Sequence, residues 1–279
     1  MSAEPQTDQR QPAEPEPPRD TVGGVLAERQ AADTFLRRWV NRVLREGVLT
    51  SFALFFTLPY FRLLNQVRVQ GDALLDTLPR RNVVFLSNHQ TYFLEAIAFF
   101  DLVYLRHELP IDDPVLRFSA AEETMRLNPL TWLMKAAGGV TLRRRYRDAG
   151  REVNRPVDLE GVQRIVQAMR DGWLLHFPTG TTKRGAPVRS GVPRLLHDAR
   201  PIVVPVRVAG FRRLLFFSQV PGRLFRRCSI RIMPPMDLAA FYDAPFTEEA
   251  GEQLRQRIED VLVGRNQPPS GDRDTALVP

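Results

Sequence analysis

Residues 82–95, NVVFLSNHQTYFLE, carry an apolar run (Val83 to Leu86) straight into Ser87-Asn88-His89, with a carboxylate, Glu95, six residues beyond the histidine. The apolar run reads as a buried strand. On one continuous helix, six steps of about 100° would leave His89 and Glu95 about 120° apart. His89 is therefore placed in a strand-to-helix turn, before the helical register begins. From there its ring can fold back toward an acid on the first turns of the helix, and Glu95 is the nearest. Such an acid would keep one ring nitrogen protonated and leave the other free to accept a proton. A lone imidazole with a nearby acid is the minimum apparatus of a general base acting on a hydroxyl. Taken alone, the pair also describes a surface histidine on a βα loop beside an unrelated acid.

Working outward, strand-like runs alternate with helical ones. Gln66 to Gln70, Val83 to Leu86, Val140 to Leu142, Leu174 to Phe177, Val203 to Val208 and Cys228 to Met233 read as strands. Helical patterns follow Thr91 and cover Leu127 to Ala137 and Leu159 to Met169. A last helix opens at Thr247, a candidate N-cap followed by two acids, with Leu254, Ile258, Val261 and Leu262 as its buried stripe. This order predicts a three-layer α/β domain with a mixed, mostly parallel sheet flanked by helices, and a site at the C-terminal ends of the strands.

Three further segments change the reading of His89. They are GGVTLRRR (Gly138 to Arg145), FPTGTTKRGAPVRSG (Phe177 to Gly191) and IVVPVRVAGF (Ile202 to Phe211), the last a strand interrupted by Pro205. In this order, from about Val67 to Met236, the blocks resemble the glycerophospholipid acyltransferase family, which includes 1-acylglycerol-3-phosphate acyltransferases. The resemblance implies that His89 is the catalytic histidine of the family's His-x-x-x-x-Asp motif. Leu94 stands at the usual aspartate position and Glu95 lies one residue later, as in a similar bacterial subgroup that also shares NHQTYF and GFRR (Gly210 to Arg213). Arg144 matches the arginine that contacts the acceptor. Phe177, Pro178, Gly180 and Thr181 match the FPEGT block, in which Thr179 replaces the glutamate and Thr182 the arginine that usually follows. Val204, Pro205 and Val206 match the last block, linked to the acyl donor.

With threonines at 179 and 182, an acceptor anion must be held by Arg144, Lys183, Arg184 or Arg189. Lys183 is one of only two lysines in a chain with 39 Lys and Arg residues. A point ammonium in a glycine-bounded loop suits a phosphate oxygen. The implied chemistry is acyl transfer without a covalent intermediate. His89 takes the proton of a lysophospholipid hydroxyl, that of 1-acyl-sn-glycerol-3-phosphate on the way to phosphatidate, as it attacks the thioester of acyl-CoA or acyl-carrier protein. Backbone donors near Gly180 meet the oxyanion. No cofactor or metal is expected: His89, His107, His176 and His197 are scattered, with His176 read as a strand residue. Cys228, in a strand-like run, reads as a small buried hydrophobe. There is no Gly-x-Ser-x-Gly elbow, and Gly180 to Gly185 leads into Ala186-Pro187 where a P-loop needs Lys-Ser/Thr. The alternatives are an acyltransferase for another lyso-lipid or an amino-acid lipid and, from a different class, a catalytically weak lipid-binding protein on the same fold.

Composition points to a membrane surface. The 279 residues carry a net charge of +7 and a pI of about 10.2, which calls for an anionic partner. Anionic lipid accounts for the charge without a nucleic-acid motif, so no nucleic acid is expected. A single cysteine suits a reducing cytosol. From Thr34 to Leu49, Phe35, Leu36, Trp39, Val40, Val43 and Leu44 recur at helical spacing opposite Arg37, Arg38, Arg42 and Arg45, the pattern of a helix in the lipid interface. Val48 to Phe61 is an apolar run of 14 residues broken by Pro59, short of the roughly 20 a span requires. It reads as a re-entrant or monotopic helix, and Phe211 to Phe217 as a possible second lipid-facing edge or a strand-end loop. The expected organisation is a disordered Pro-rich tail (1–27), membrane-associating helices (28–65), an acyltransferase domain (66–264) and a disordered tail (265–279), placed on the cytoplasmic face of the cell membrane.

Overall fold

The computed structural model describes residues 47–48, 50–91, 93–110, 115–122, 134–135, 137–143, 147–148, 151–152, 158–213, 225 and 227–263. All but Gly47 fall in one of the two compact units into which the chain divides, Val48–Pro279. Both tails and most of the expected interfacial helix over Thr34 to Leu49 and of Leu127 to Ala137 lie outside the described residues.

The strands are β1 (Gln66–Gln70), β2 (Val83–Ser87), β3 (Val115–Ala121), β4 (Gly139–Leu142), β5 (Arg147–Asp148), β6 (Arg151–Glu152), β7 (Gly172–His176), β8 (Ile202–Ala209) and β9 (Arg227–Ile232). Seven form one sheet in the order β1-β9-β8-β2-β7-β3-β4, while β5 and β6 form a small antiparallel ribbon. β8, β2, β7, β3 and β4 run parallel; β9 joins β8 antiparallel and carries β1 parallel to itself. The sheet is thus mixed and mostly parallel, as expected.

The central strands are apolar on both faces because helices cover both. Val83, Phe85, Trp173, Leu175, Val204 and Val206 point into one core with the helix α1 (Leu94–Phe100). The alternate residues Val84, Leu86, Leu174 and Val203 point into the other. There they meet α2 (Leu159–Asp171), α3 (Gly191–Ala199) and, after the short α4 (Ala239–Asp243), α5 (Glu248–Val263). Period-two alternation along the strands yields the three layers. Thr247 caps α5, its Oγ1 accepting from Ala250 N–H at 3.2 Å. Leu254, Ile258 and Leu262 are buried there, while Val261 is only half-buried.

Pro205 does not interrupt β8. Its carbonyl accepts from Met233 N–H at 3.0 Å, one step past the last β8–β9 pair, Val206 with Ile232. Proline here can accept from Met233 but not donate back, and the pair lies just past the end of β9, where one missing donor is tolerated. Pro59 likewise leaves its helix unbroken. The segment is π-helical over Ala53–Thr57 and Pro59–Leu64, with Asn65 N–H donating to Tyr60 O at 2.9 Å. A wide turn tolerates a residue that cannot donate to the carbonyl four positions back. One face of this helix is ordinary core: Tyr60 and Phe61 are buried, and Thr57 donates to Asp101 Oδ1 at 3.0 Å. The other face exposes Leu54, Phe55 and Leu63. Phe211, by contrast, is fully buried, its ring 6.5 Å from that of Phe61, so it offers nothing to lipid.

Candidate active site

Because β8, β2 and β7 are adjacent and parallel, the turns at their C-terminal ends converge. These are Asn88 to Phe93, the loop from Phe177, and Gly210 to Arg213. The chain leaves β2 toward β3 on one side, while the connection from β7 to β8 passes to the other. β2 therefore sits at a topological switch point, where open α/β sheets place their ligands.

The turn after β2 is organised around Glu95. Its Oε1 lies 3.0 Å from His89 Nδ1 and accepts the N–H groups of Gln90 and Thr91, the latter at 2.8 Å. Its Oε2 accepts the Thr91 hydroxyl, whose oxygen in turn accepts Leu94 N–H at 3.0 Å. Thr91 and Glu95 thus cap the start of α1 reciprocally, as in a capping box. Glu95 is 1% exposed. Burial alone would raise its pKa, but the hydrogen bond and charge of His89 and the bonds from Thr91 outweigh it and hold the carboxyl below its usual value. An ionised Glu95 only accepts, so His89 Nδ1 carries the proton of that bond, and in the neutral ring the lone pair falls on Nε2. Among the described residues nothing else bonds to the ring, which stacks on Phe177 with centroids 4.2 Å apart. The acid set one residue late and one methylene longer thus still reaches the ring.

The residues flanking His89 hold it to β8. Asn88 donates to Val208 O at 2.9 Å and accepts Val208 N–H at 2.7 Å. Gln90 donates to Val208 O at 2.9 Å and accepts Phe211 N–H at 3.0 Å. Gly210 (φ 83) completes the turn, and a Cβ there would lie 2.6 Å from Arg227 O.

A cleft of about 500 Å³ opens at this point, lined by His89, Thr179, Thr181, Lys183, Arg184 and Arg212 among others. Two predicted site residues stand elsewhere. Gly180 (φ 61) forms a turn, and its N–H donates to Phe177 O at 2.9 Å, so that donor is not aimed at an oxyanion. Arg189 is exposed and braces the loop, its Nε donating to Thr179 O at 3.1 Å and its N–H to Pro178 O at 2.9 Å. Arg144 lies outside the described residues. Its neighbour Arg143 donates its N–H to the N-cap Asp158 of α2 at 2.8 Å. His176 and Cys228 are buried, as expected of strand residues. His176 Nδ1 lies 2.8 Å from Ser119 Oγ, and burial pushes its pKa down to about 4.

The sequence profile of the family described as Acyltransferase matches residues 66–209, from the first residue of β1 to the last of β8. The chain belongs to the acyltransferase family. The His89 turn and the Phe177 loop of this acyltransferase both fall inside that span. A solved structure is similar in fold: the crystal structure of the 1-acyl-sn-glycerophosphate (LPA) acyltransferase, PlsC, from Thermotoga maritima. It is 21% identical, with a TM-score of 0.51, over 84% of this chain and 86% of that one. No curated protein matches.

Asn88, Gln90 and Arg212 were not among the residues that sequence alone assigned to the site. The polar amides on both sides of His89 were the available signal, since two such side chains beside a buried strand end need partners. For Arg212 the only hint was its place in the GFRR block. Glu259, from α5, also lines the cleft; its Oε1 accepts Val188 N–H at 2.8 Å and pairs with Arg255.

Proposed function

We infer that this acyltransferase moves a fatty acyl group from the thioester of acyl-CoA or acyl-carrier protein to a hydroxyl of a lysophospholipid, 1-acyl-sn-glycerol-3-phosphate yielding phosphatidate. The observation that carries the reading is that His89, its Nδ1 bonded to Glu95 and its Nε2 with no partner among the described residues, lines the same cleft as Lys183 and Arg184. Neither cation has a carboxylate partner among the described residues, so a substrate anion can meet both. Nε2 takes the hydroxyl proton as the oxygen attacks the thioester carbonyl. The tetrahedral intermediate expels the thiolate, which recovers the proton from the imidazolium, and Glu95 holds the ring and its positive charge throughout. The balance is one C–O bond formed and one C–S bond broken.

The acceptor would be met at a membrane surface. No described helix is long and apolar enough to cross one. The exposed Leu54, Phe55 and Leu63 suit insertion into one leaflet, on the cytoplasmic side where acyl thioesters are made. The test is acyl transfer from labelled acyl-CoA and acyl-carrier protein to a panel of lyso-lipids, with wild type and His89→Ala in the same membranes. Product that depends on His89 supports the reading; folded, lipid-bound protein without product from any acceptor overturns it.

A further inference from the structure

Arg212 belongs to the turn Phe211–Arg213 after β8, and the backbone of that turn is tied to Gln90, the residue next to His89, through Phe211 N–H at 3.0 Å. Its Nη2 donates to Thr182 O at 2.5 Å, bridging to the loop that carries Lys183 and Arg184. A guanidinium has five N–H donors. Among the described residues only this one bond is made, and no carboxylate pairs with the charge. Arg212 is half-buried and lines the cleft with His89. A partly desolvated guanidinium beside a polar cleft, unmatched by any acid among the described residues, is suited to a bidentate contact with a phosphate. Thr182 itself is buried, 8% exposed, and contributes its carbonyl to Arg212 in place of a side chain to the cleft.

We propose that Arg212 binds the phosphate of the acceptor and sets the preference for a phosphorylated acceptor. The turn after β8 thereby delivers the guanidinium that position 182 lacks. The proposal rests on the acyl transfer inferred above and adds the residue that selects the acceptor. The fork is fixed at one end by Thr182 O and, through Gln90, by the element that carries the base. The bound phosphate is therefore positioned relative to Nε2, not merely attracted to a basic loop.

The test uses the full chain in vesicles, with wild type, Arg212→Gln and Arg212→Lys. Kinetics are measured with 1-acyl-sn-glycerol-3-phosphate and with 1-acylglycerol, which lacks the phosphate. Arg212→Gln should raise KM for the phosphorylated acceptor about 10- to 100-fold, the worth of a charge-assisted pair. kcat, the KM of the acyl donor and any turnover of 1-acylglycerol should change by less than about threefold, and Arg212→Lys should recover part of the loss. Equal losses on both acceptors, or a loss confined to the donor KM, would overturn the proposal. A parallel titration with sn-glycerol 3-phosphate needs no turnover. Weaker binding by Arg212→Gln, with an unchanged melting curve, supports the site even if the acyl-transfer reading fails, and equal binding removes it. Should the glutamine variant not fold, Arg212→Lys decides alone, since loss of the fork predicts at least about fivefold weaker binding.

Discussion

Glu95 Oε1 sits 3.0 Å from His89 Nδ1 across a turn of six residues, and the same carboxylate accepts two backbone N–H groups of that turn. Orienting the ring and holding the turn that precedes α1 are therefore one act performed by one side chain. Removing Glu95 should disturb the loop as well as the tautomer.

His89→Ala deletes the base and should lower kcat by about 10³-fold or more, within the span of general-base catalysis. The stacking partner Phe177 remains, and circular dichroism should be unchanged. Turnover that survives the substitution would place the base elsewhere.

Glu95→Gln keeps the length but supplies an amide that can no longer hold the charge of the ring. Its kcat should fall about 10²-fold, less than for His89→Ala. Glu95→Asp is the sharper comparison: the charge survives, but the carboxylate retracts by one methylene from Nδ1 and from the N–H groups it caps. A loss for the aspartate as large as for the glutamine would show that reach matters as much as charge. Equal activity of all three would remove Glu95 from the site. The depressed pKa of Glu95 gives a pH dependence whose sign is fixed. Its contribution is present above the unfolded-state value of 4.5 and is lost as pH falls through the lower folded value.

Asn88→Ala removes both of its bonds to Val208 and should cost about 1 to 3 kcal/mol of stability, because Val208 N–H loses its side-chain acceptor and Val208 O keeps only Gln90. If Asn88 also positions His89, kcat should fall while the KM for each substrate stays within about threefold. A stability loss with unchanged kcat would make the clamp purely structural.

His176 offers a pH test away from the chemistry. Its folded pKa is depressed to about 4 from an ordinary 6.5. The unfolded chain therefore binds a proton that the native state refuses, and stability falls as pH drops from 6.5 toward 4, by about 3 kcal/mol in all. Denaturant melts of wild type and His176→Asn across that window should diverge, with the variant flatter by about one proton. Parallel curves would mean that His176 is not the group responsible.

Phe55→Glu places a charge at the most exposed aromatic of the helix 50–64, 83% accessible. Sedimentation with anionic vesicles should weaken about tenfold or more, while the melting temperature in detergent-free buffer stays put. Deleting residues 1–64 is a poorer probe, because Tyr60 and Phe61 belong to the core and their loss would unfold what it was meant to release.

Much of the fold and the centre of the site were legible in sequence. The strands dominated by apolar residues, β2, β7 and β8, were found because both faces are covered. β3 was missed because Arg117 and Ser119 alternate with Leu116 and Phe118, so that no apolar run stands out. α3 was missed because Pro193 sits inside it, in the first turn where a proline costs no hydrogen bond. The His89–Glu95 dyad was readable because a turn and the start of a helix lie close in sequence. The grip of Asn88 and Gln90 on Val208, and of Arg212 on Thr182, spans from 30 to 120 residues and depends on the strand order. Local pattern does not carry that information. Gly180 matches its motif position and Arg189 was a candidate for the acceptor anion, yet turn geometry directs their donors to Phe177 and Thr179.

The face formed by Leu54, Phe55 and Leu63 exists only while Tyr60 and Phe61 on the same helix are seated in the core. Lipid that covers it would bind the native chain and not the unfolded one, and so would act as a ligand for folding. The melting temperature would climb with lipid concentration, and leaving the bilayer would loosen the same helix that Thr57 pins to Asp101 beside α1.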